Sequence, residues 1–371
     1  MKRFILLIIC ALIFRPQLRA QATEPNHNVI QLALLLDVSG SMSGLIDQAK
    51  SELWTIANEV AKAKKNGFNT RLEIALYEYG RTSNPASNGY IVKLLDYTSD
   101  LDTVSKILFS LSINGGDEYC GWVIKNALEE LQWRDNDSIY RVIFIAGNEP
   151  FNQGSVDYKA SLSNASEKGI TVNTIHCGDS MTGVLGFWQD GAVKGNGKYF
   201  FINHNSTAYD VSTPYDSLID VYNDSLNTTY WAYGSGGGAY KSNQLEQDNN
   251  AAKMSKSIKA KRAISKTQSV YSNAKWDAVD AARSDTAWAR TTKDEDLPEQ
   301  LKGKSLEEKK IILEYNSKKR LVYSTKIAGL NVQRETYIRS VRTAGVKERS
   351  LGMALVEAIH QQASKKGFVF E

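Results

Sequence analysis

The residues with the clearest chemical implication are Asp37, Ser39 and Ser41, in the string Asp37-Val38-Ser39-Gly40-Ser41. One carboxylate and two hydroxyls on a tight turn make an all-oxygen donor set. A hard cation such as Mg²⁺ takes six oxygens in near-octahedral geometry and keeps several waters. Serine hydroxyls are neutral, so an ion held by them stays electron-poor and can accept a carboxylate from elsewhere at an open position. A D-x-S-x-S string alone carries little weight, because short polar strings arise by chance. Its position carries more: it closes an apolar run and opens an amphipathic one. The other candidates are weaker. His176, Cys177 and Asp179 could form a zinc set, but a His and a Cys at a strand end are more often structural. His27, His204 and His360 are scattered. There is no glycine-rich phosphate loop with lysine and no serine in a nucleophile-elbow context, so an enzyme is not expected.

The elements around that string alternate. An apolar run over 28–36 reads as a strand buried on both faces. Leu45, Ile46, Ala49, Leu53, Ile56, Ala57 and Val60 recur at helical spacing, with Gly67 as the expected stop. Residues 71–79 and 90–95 flank a stretch of turn chemistry and predict an antiparallel hairpin. Helices are expected over 100–111, 119–133, 155–168, 183–193 and 214–230, and strands over 141–146, 171–177 and 198–203. Strands alternating with helices predict a doubly wound, mostly parallel six-stranded sheet with one antiparallel edge strand. Trp122, Trp133, Trp188 and Trp231 are expected in or at the rim of its core. In such sheets ligands bind beyond the carboxyl ends of the strands, which is where Asp37 falls.

With that placement, Asp37-Val38-Ser39-Gly40-Ser41 resembles the metal-ion-dependent adhesion site (MIDAS) of von Willebrand factor A (VWA) domains, and the resemblance spans 28–230. It implies that Ser39 and Ser41 touch the ion and that Asp37 acts through water or orients the shell. The implied ion is Mg²⁺ or Mn²⁺, and the implied role is binding a protein partner whose acidic side chain completes the metal shell. Two loops depart from the family pattern. Where the family has a threonine after two glycines, Gly115-Gly116 is followed by Asp117. Where it has Thr-Asp-Gly, this chain has Ala146-Gly147-Asn148, then Glu149-Pro150. An acid is lost from one loop and gained in another, so Asp117 joins Asp37, Ser39 and Ser41 as an expected ligand. The string around 144–151, with Ile175-His176-Cys177-Gly178-Asp179, resembles exported bacterial VWA proteins.

Composition sets the wider frame. Lys2 and Arg3 precede an apolar run over 4–14, and Ala20-Gln21-Ala22 offers a small-x-small cleavage site, so 1–22 reads as a signal peptide containing Cys10. The run is too short to span a bilayer, which needs about 20 apolar residues. A VWA domain is expected over 23–233, a glycine linker over 234–239 and a helical region over 240–371, with Ser305 and Glu308 forming a capping box. The net charge of +4 hides a division. Residues 23–239 carry 15 basic and 25 acidic side chains, and residues 240–371 carry 26 and 16. The basic half can rest on the acidic half or grip another protein. Nucleic acid is not expected, because the chain reads as exported, to the periplasm or beyond, and its basic residues are interleaved with acids. An envelope scaffold with a vestigial metal site is the alternative function. Cys120 and Cys177 remain after signal removal; a disulfide between them is expected, with two buried thiols on opposite faces of the sheet as the alternative.

Overall fold

The computed structural model describes residues 28–203, 205, 210–342 and 350–371; the expected signal peptide, Cys10, His27 and His204 lie outside them. The chain begins with β1 (Val29–Asp37), buried along its whole length, and α1 (Ser43–Val60). A small hairpin follows, β2 (Ala63–Lys65) and β3 (Phe68–Asn69). The chain turns there through Asn66 and Gly67, both at positive φ. Gly67 therefore serves a strand turn, and α1 ends at Val60, the last residue of its apolar spacing, rather than running on to Gly67. Then come β4 (Arg71–Tyr79), β5 (Val92–Thr98), α2 (Leu101–Ser110), α3 (Cys120–Glu130), β6 (Tyr140–Gly147) and α4 (Tyr158–Glu167). β7 (Thr171–Cys177), two short helices α5 (Ser180–Leu185) and α6 (Trp188–Lys194), β8 (Asn196–Ile202) and α7 (Asp216–Asn227) complete the alternating part.

The main sheet has the order β5-β4-β1-β6-β7-β8. Every neighbouring pair is parallel except β4 with β5, the antiparallel edge. This is the expected architecture. Connections run from β1 to one side through β4 and then cross to β6 on the other. The strand order therefore reverses beside β1, and a crevice opens beyond the carboxyl ends of β1 and β6.

Helices cover both faces. One face packs α3, α4 and α6 against the sheet through Val123, Ile124, Leu162 and Trp188. The other buries Leu36, Trp54 and Ile175 in one continuous cluster with Ile258, Ala263, Leu355 and Ile359 from the C-terminal half. That half is helical: α8 (Gly237–Met254), α9 (Lys256–Ser265), α10 (Ala278–Ser284), α11 (Trp288–Thr291), the 37-residue α12 (Leu306–Arg342) and α13 (Leu351–Ala363). A last strand, β9 (Val369–Phe370), pairs with β2 and ties the end of the chain to the α/β part.

The glycines expected to form a flexible linker do not act as one. Gly234 donates its N–H to the Asp296 carbonyl at 2.8 Å, and Gly237 begins α8. The two halves share a core because α13 and α9 pack on α1, supplying apolar cover that the strand-bearing part lacks on that face. The uneven charges meet there. Arg262 pairs with Asp102 at 2.6 Å, and Arg334 with Asp216 at 2.9 Å, all four side chains buried.

The expected disulfide is absent: Cys120 and Cys177 are buried free thiols. Cys177 belongs to the core cluster on the α1 face and Cys120 to the cluster under α3. The sheet lies between them, so proximity along its carboxyl edge does not bring the sulfurs together. Burial raises both thiols well above their usual value.

Candidate metal centre

Asp37 ends the central strand and is fully buried. Its Oδ1 accepts the Ser39 N–H at 2.7 Å, which closes the turn. The loop is pinned from both sides: Val38 donates to the Tyr79 carbonyl at 2.9 Å and Asn114 to the Val38 carbonyl at 3.0 Å. Ser39 is buried and Ser41 is exposed, so the turn runs from the floor of the crevice to its rim. Tyr79 forms the floor, donating its hydroxyl to the Ala146 carbonyl at 2.9 Å.

The second loop does not present the expected acid. Asp117 is exposed and accepts the Tyr119 hydroxyl at 3.0 Å. Its neighbour Glu118 is the side chain turned inward, only 5 % exposed. Gly80 makes room for it: at φ +82°, a Cβ there would lie 2.8 Å from Glu118 Cγ and 3.1 Å from Asp37 Oδ1. Nothing in the sequence distinguishes Asp117 from Glu118; the choice depends on Tyr119 holding the first and Gly80 vacating space for the second.

The third loop is explained in the same way. A Cβ on Gly147 would come 2.5 Å from the Tyr79 hydroxyl and 3.0 Å from Asp37 Oδ2. The position where the family carries an acid therefore admits no side chain here. Acidity arrives from Glu149, half-buried two residues on, whose charge acts on both Asp37 and Glu118.

The electrostatics are those of a site that concentrates negative charge in poor solvation. Burial pushes the Asp37 carboxyl up to about 6, against the lowering effect of its hydrogen bond from Ser39. Burial, then the charges of Asp37 and Glu149, push Glu118 up to about 8. Asp37 Oδ2 and Asn148 Oδ1 are buried without a hydrogen-bond partner. Buried acceptors without donors cost free energy, and a cation in the crevice would satisfy both the charge and the lone pairs. The donor set, carboxylates, hydroxyls and an amide oxygen, suits a hard ion. Among the described residues no three His, Cys, Asp or Glu side chains converge as a metal-holding group. An ion here would therefore depend on the serine hydroxyls and water.

The alternative zinc set does not assemble. Asp179 caps α5, accepting the N–H groups of Met181 and Thr182. Cys177 is packed in the core on the α1 face. His176 is buried, its ring 5.8 Å from that of Trp188.

The strand order, the single antiparallel edge and the Asp37-to-Ser41 turn at the crevice give the doubly wound α/β architecture expected of a VWA-type fold, carrying an integral helical C-terminal half. No protein-family model matches the chain, and no curated protein matches it in sequence. Among solved structures it is similar to an aerotolerance-related membrane protein from Bacteroides fragilis NCTC 9343, at 18 % identity and a TM-score of 0.35, over 47 % of this chain and 93 % of that one. It is similar to the conserved hypothetical protein BatB from Bacteroides thetaiotaomicron, at 18 % identity and TM-score 0.37, over 48 % and 92 %. A third is proximal thread matrix protein 1 from the mussel byssus, with a zinc-occupied MIDAS motif, at 14 % identity and TM-score 0.37, over 48 % and 43 %. The assignment of the site rests on this chain's own residues.

Proposed function

We propose that this chain is an exported binding module that holds Mg²⁺ or Mn²⁺ with Asp37, Ser39 and Ser41, backed by Glu118, and engages a protein partner through an acidic side chain. The observation that carries this reading is Asp37 Oδ2, a buried carboxylate oxygen without a partner at the bottom of an acidic crevice open at Ser41. When bound, the ion supplies an electrophilic coordination position for the partner's carboxylate. The chain's own contribution is positional: Ser39 N–H fixes Asp37, Tyr79 closes the floor and Gly147 leaves the space. The role is recognition rather than turnover; the buried thiols Cys120 and Cys177 are held protonated and are poor nucleophiles. Export rests on the signal-like pattern of 1–22. Among the described residues no helix is long and apolar enough to cross a membrane.

The test is a thermal melt of the purified protein with chelator, then with Mg²⁺ and Mn²⁺. A ligand of the folded state alone stabilises it by about 2.7 kcal/mol at a hundred times its dissociation constant. A rise in midpoint that Ser39→Ala abolishes supports the reading. No rise with either ion refutes the metal and favours an envelope scaffold that binds through its helical half. A partner pull-down with and without chelator then separates metal-dependent capture from capture by the helices.

A further inference from the structure

The helix α12 is 37 residues long, about 55 Å at 1.5 Å per residue. One side of it is docked. Asn316 donates to the Thr229 carbonyl at 2.9 Å, Arg320 pairs with Asp277 at 2.7 Å, and Arg334 with Asp216 at 2.9 Å, with Ile327 fully buried between them. The opposite side is bare and ordered in sequence. Ile311, Tyr315, Val322 and Val332 project from it, 66 %, 71 %, 55 % and 66 % exposed. Lys318, Thr325, Gly329 and Thr336 fill the intervening steps and are all exposed. From Ile311 to Thr336 the eight positions advance alternately by four and by three residues, the spacing of a coiled-coil seam, and four of the eight are apolar. Between Ile311 and Thr336 only Lys318 on that line is charged, while Glu307, Lys310, Glu314, Lys319, Lys326 and Glu335 sit to its sides; Glu308, one step before Ile311, closes the line at its start.

We infer that two copies of this chain pair in parallel through the outward face of α12, seam to seam. The occupant is a second copy because the face complements itself. In heptad terms Tyr315, Val322, Gly329 and Thr336 take the a positions, and Ile311, Lys318, Thr325 and Val332 the d positions. Glu314 then falls at g and Lys319 at the following e, so a parallel pair sets Glu314 against Lys319 of the other copy twice over. An antiparallel pair on the same seam would set Lys319 opposite Lys326 and Glu314 opposite Glu335, all like-charged. Gly329, with Ala328 beside it, lets the two backbones approach closely. Lys318, which pairs along its own helix with Glu314 at 2.7 Å, and Thr325 and Thr336 are polar seam positions that weaken the pair and limit it to a moderate association. The docked side of α12 lies opposite the seam, so the α/β part of each copy stands away from the contact.

The experiment is sedimentation equilibrium of the purified protein between about 1 and about 200 µM, the range in which a moderate association is read. A monomer–dimer equilibrium is expected. Val322→Glu should weaken it at least tenfold and leave the melting temperature unchanged at about 1 µM, where both proteins are mainly monomeric, because Val322 is 55 % exposed, and Val322→Leu should preserve the pair. Orientation is read with single cysteines. Val332→Cys alone should form an intermolecular disulfide, which needs Cα atoms within about 7 Å and so a parallel pair. A monomer throughout the range overturns the inference. So does a dimer that Val322→Glu leaves intact, which would place the contact on another surface. Crosslinking only when Tyr315→Cys and Val332→Cys proteins are mixed would mean an antiparallel pair and would overturn it as well. The unsubstituted protein controls for its own buried cysteines.

Discussion

Each position in the crevice is decided by what its neighbours leave room for. Glu118 enters because Gly80 has no side chain, and Asp117 stays outside because Tyr119 binds it. If Glu118 supports the ion, Glu118→Gln should lower Mg²⁺ affinity about tenfold or more, the usual size of an outer-shell loss, and Asp117→Asn should leave it unchanged in calorimetric titration. Equal losses from both would return Asp117 to the site. Gly147 offers a stability test independent of metal. A methyl group there would lie 2.5 Å from the Tyr79 hydroxyl and 3.0 Å from Asp37 Oδ2. Overpacking of this kind costs about 1–3 kcal/mol, so Gly147→Ala should lower the denaturation midpoint in chelator. An unchanged midpoint would mean that the floor of the site yields easily.

At the scale of elements, α13 and α9 serve as the cover for α1. Trp54 on α1 is fully buried, with the Arg262 guanidinium 4.6 Å from its ring centre. Leu351, Leu355 and Ile359 of α13 are fully buried as well. A fragment ending at Tyr233 would lose all of these contacts, together with the bonds from Trp231 N–H to Asp277 and from Tyr233 N–H to the Trp276 carbonyl. Exposing apolar surface costs roughly 25 cal/mol per Å². The expectation is therefore a molten or insoluble fragment, seen as dye binding and a lost near-ultraviolet circular dichroism signal. A cooperative melt from 23–233 alone would show that the sheet needs no such cover. The helical character of 240–371 was legible from its composition. Its attachment was not, because a run of glycines reads as flexible whether or not its N–H groups find partners.

Across the whole molecule the acidic and basic halves are joined by buried charge. Asp102, Asp248, Arg262 and Lys266 form one network, with Arg262 bonded to both acids and Lys266 to Asp248. Burial alone would raise the Asp248 carboxyl, but Lys266 and Arg262 outweigh it and hold the group far below the usual carboxylate range. A carboxyl depressed on folding contributes stability above its unfolded value, about 3.9, and that contribution is lost as pH falls through the folded value. Stability measured by denaturant should therefore fall steeply below about pH 4. Asp248→Ala, which leaves the buried Lys266 without a carboxylate and Arg262 with Asp102 alone, should cost about 3–5 kcal/mol at neutral pH. A flat acid profile, or a loss under 1 kcal/mol, would show that the network is solvated.

The sequence by itself determined the features that are local. The alternation of strands and helices over 28–230 follows from hydrophobic period, and β7 falls at 171–177, where that period places it. The antiparallel edge follows from two strands separated by turn chemistry. The candidate site was legible through Asp37, Ser39 and Ser41 because those three lie within five residues on one turn. Tertiary structure decided the rest, because the deciding contacts join distant positions. Arg262 meets Asp102 from 160 residues away, and Gln362 meets the Tyr140 hydroxyl from 222. Cys120 and Cys177 were placed near one edge by their elements, but only the packed sheet put them on opposite faces. Glu118 and Asp117 are adjacent acids with equal claims in the chain. A side chain's direction depends on what fills the space around it, and that space is made by loops drawn together only when the whole sheet has closed.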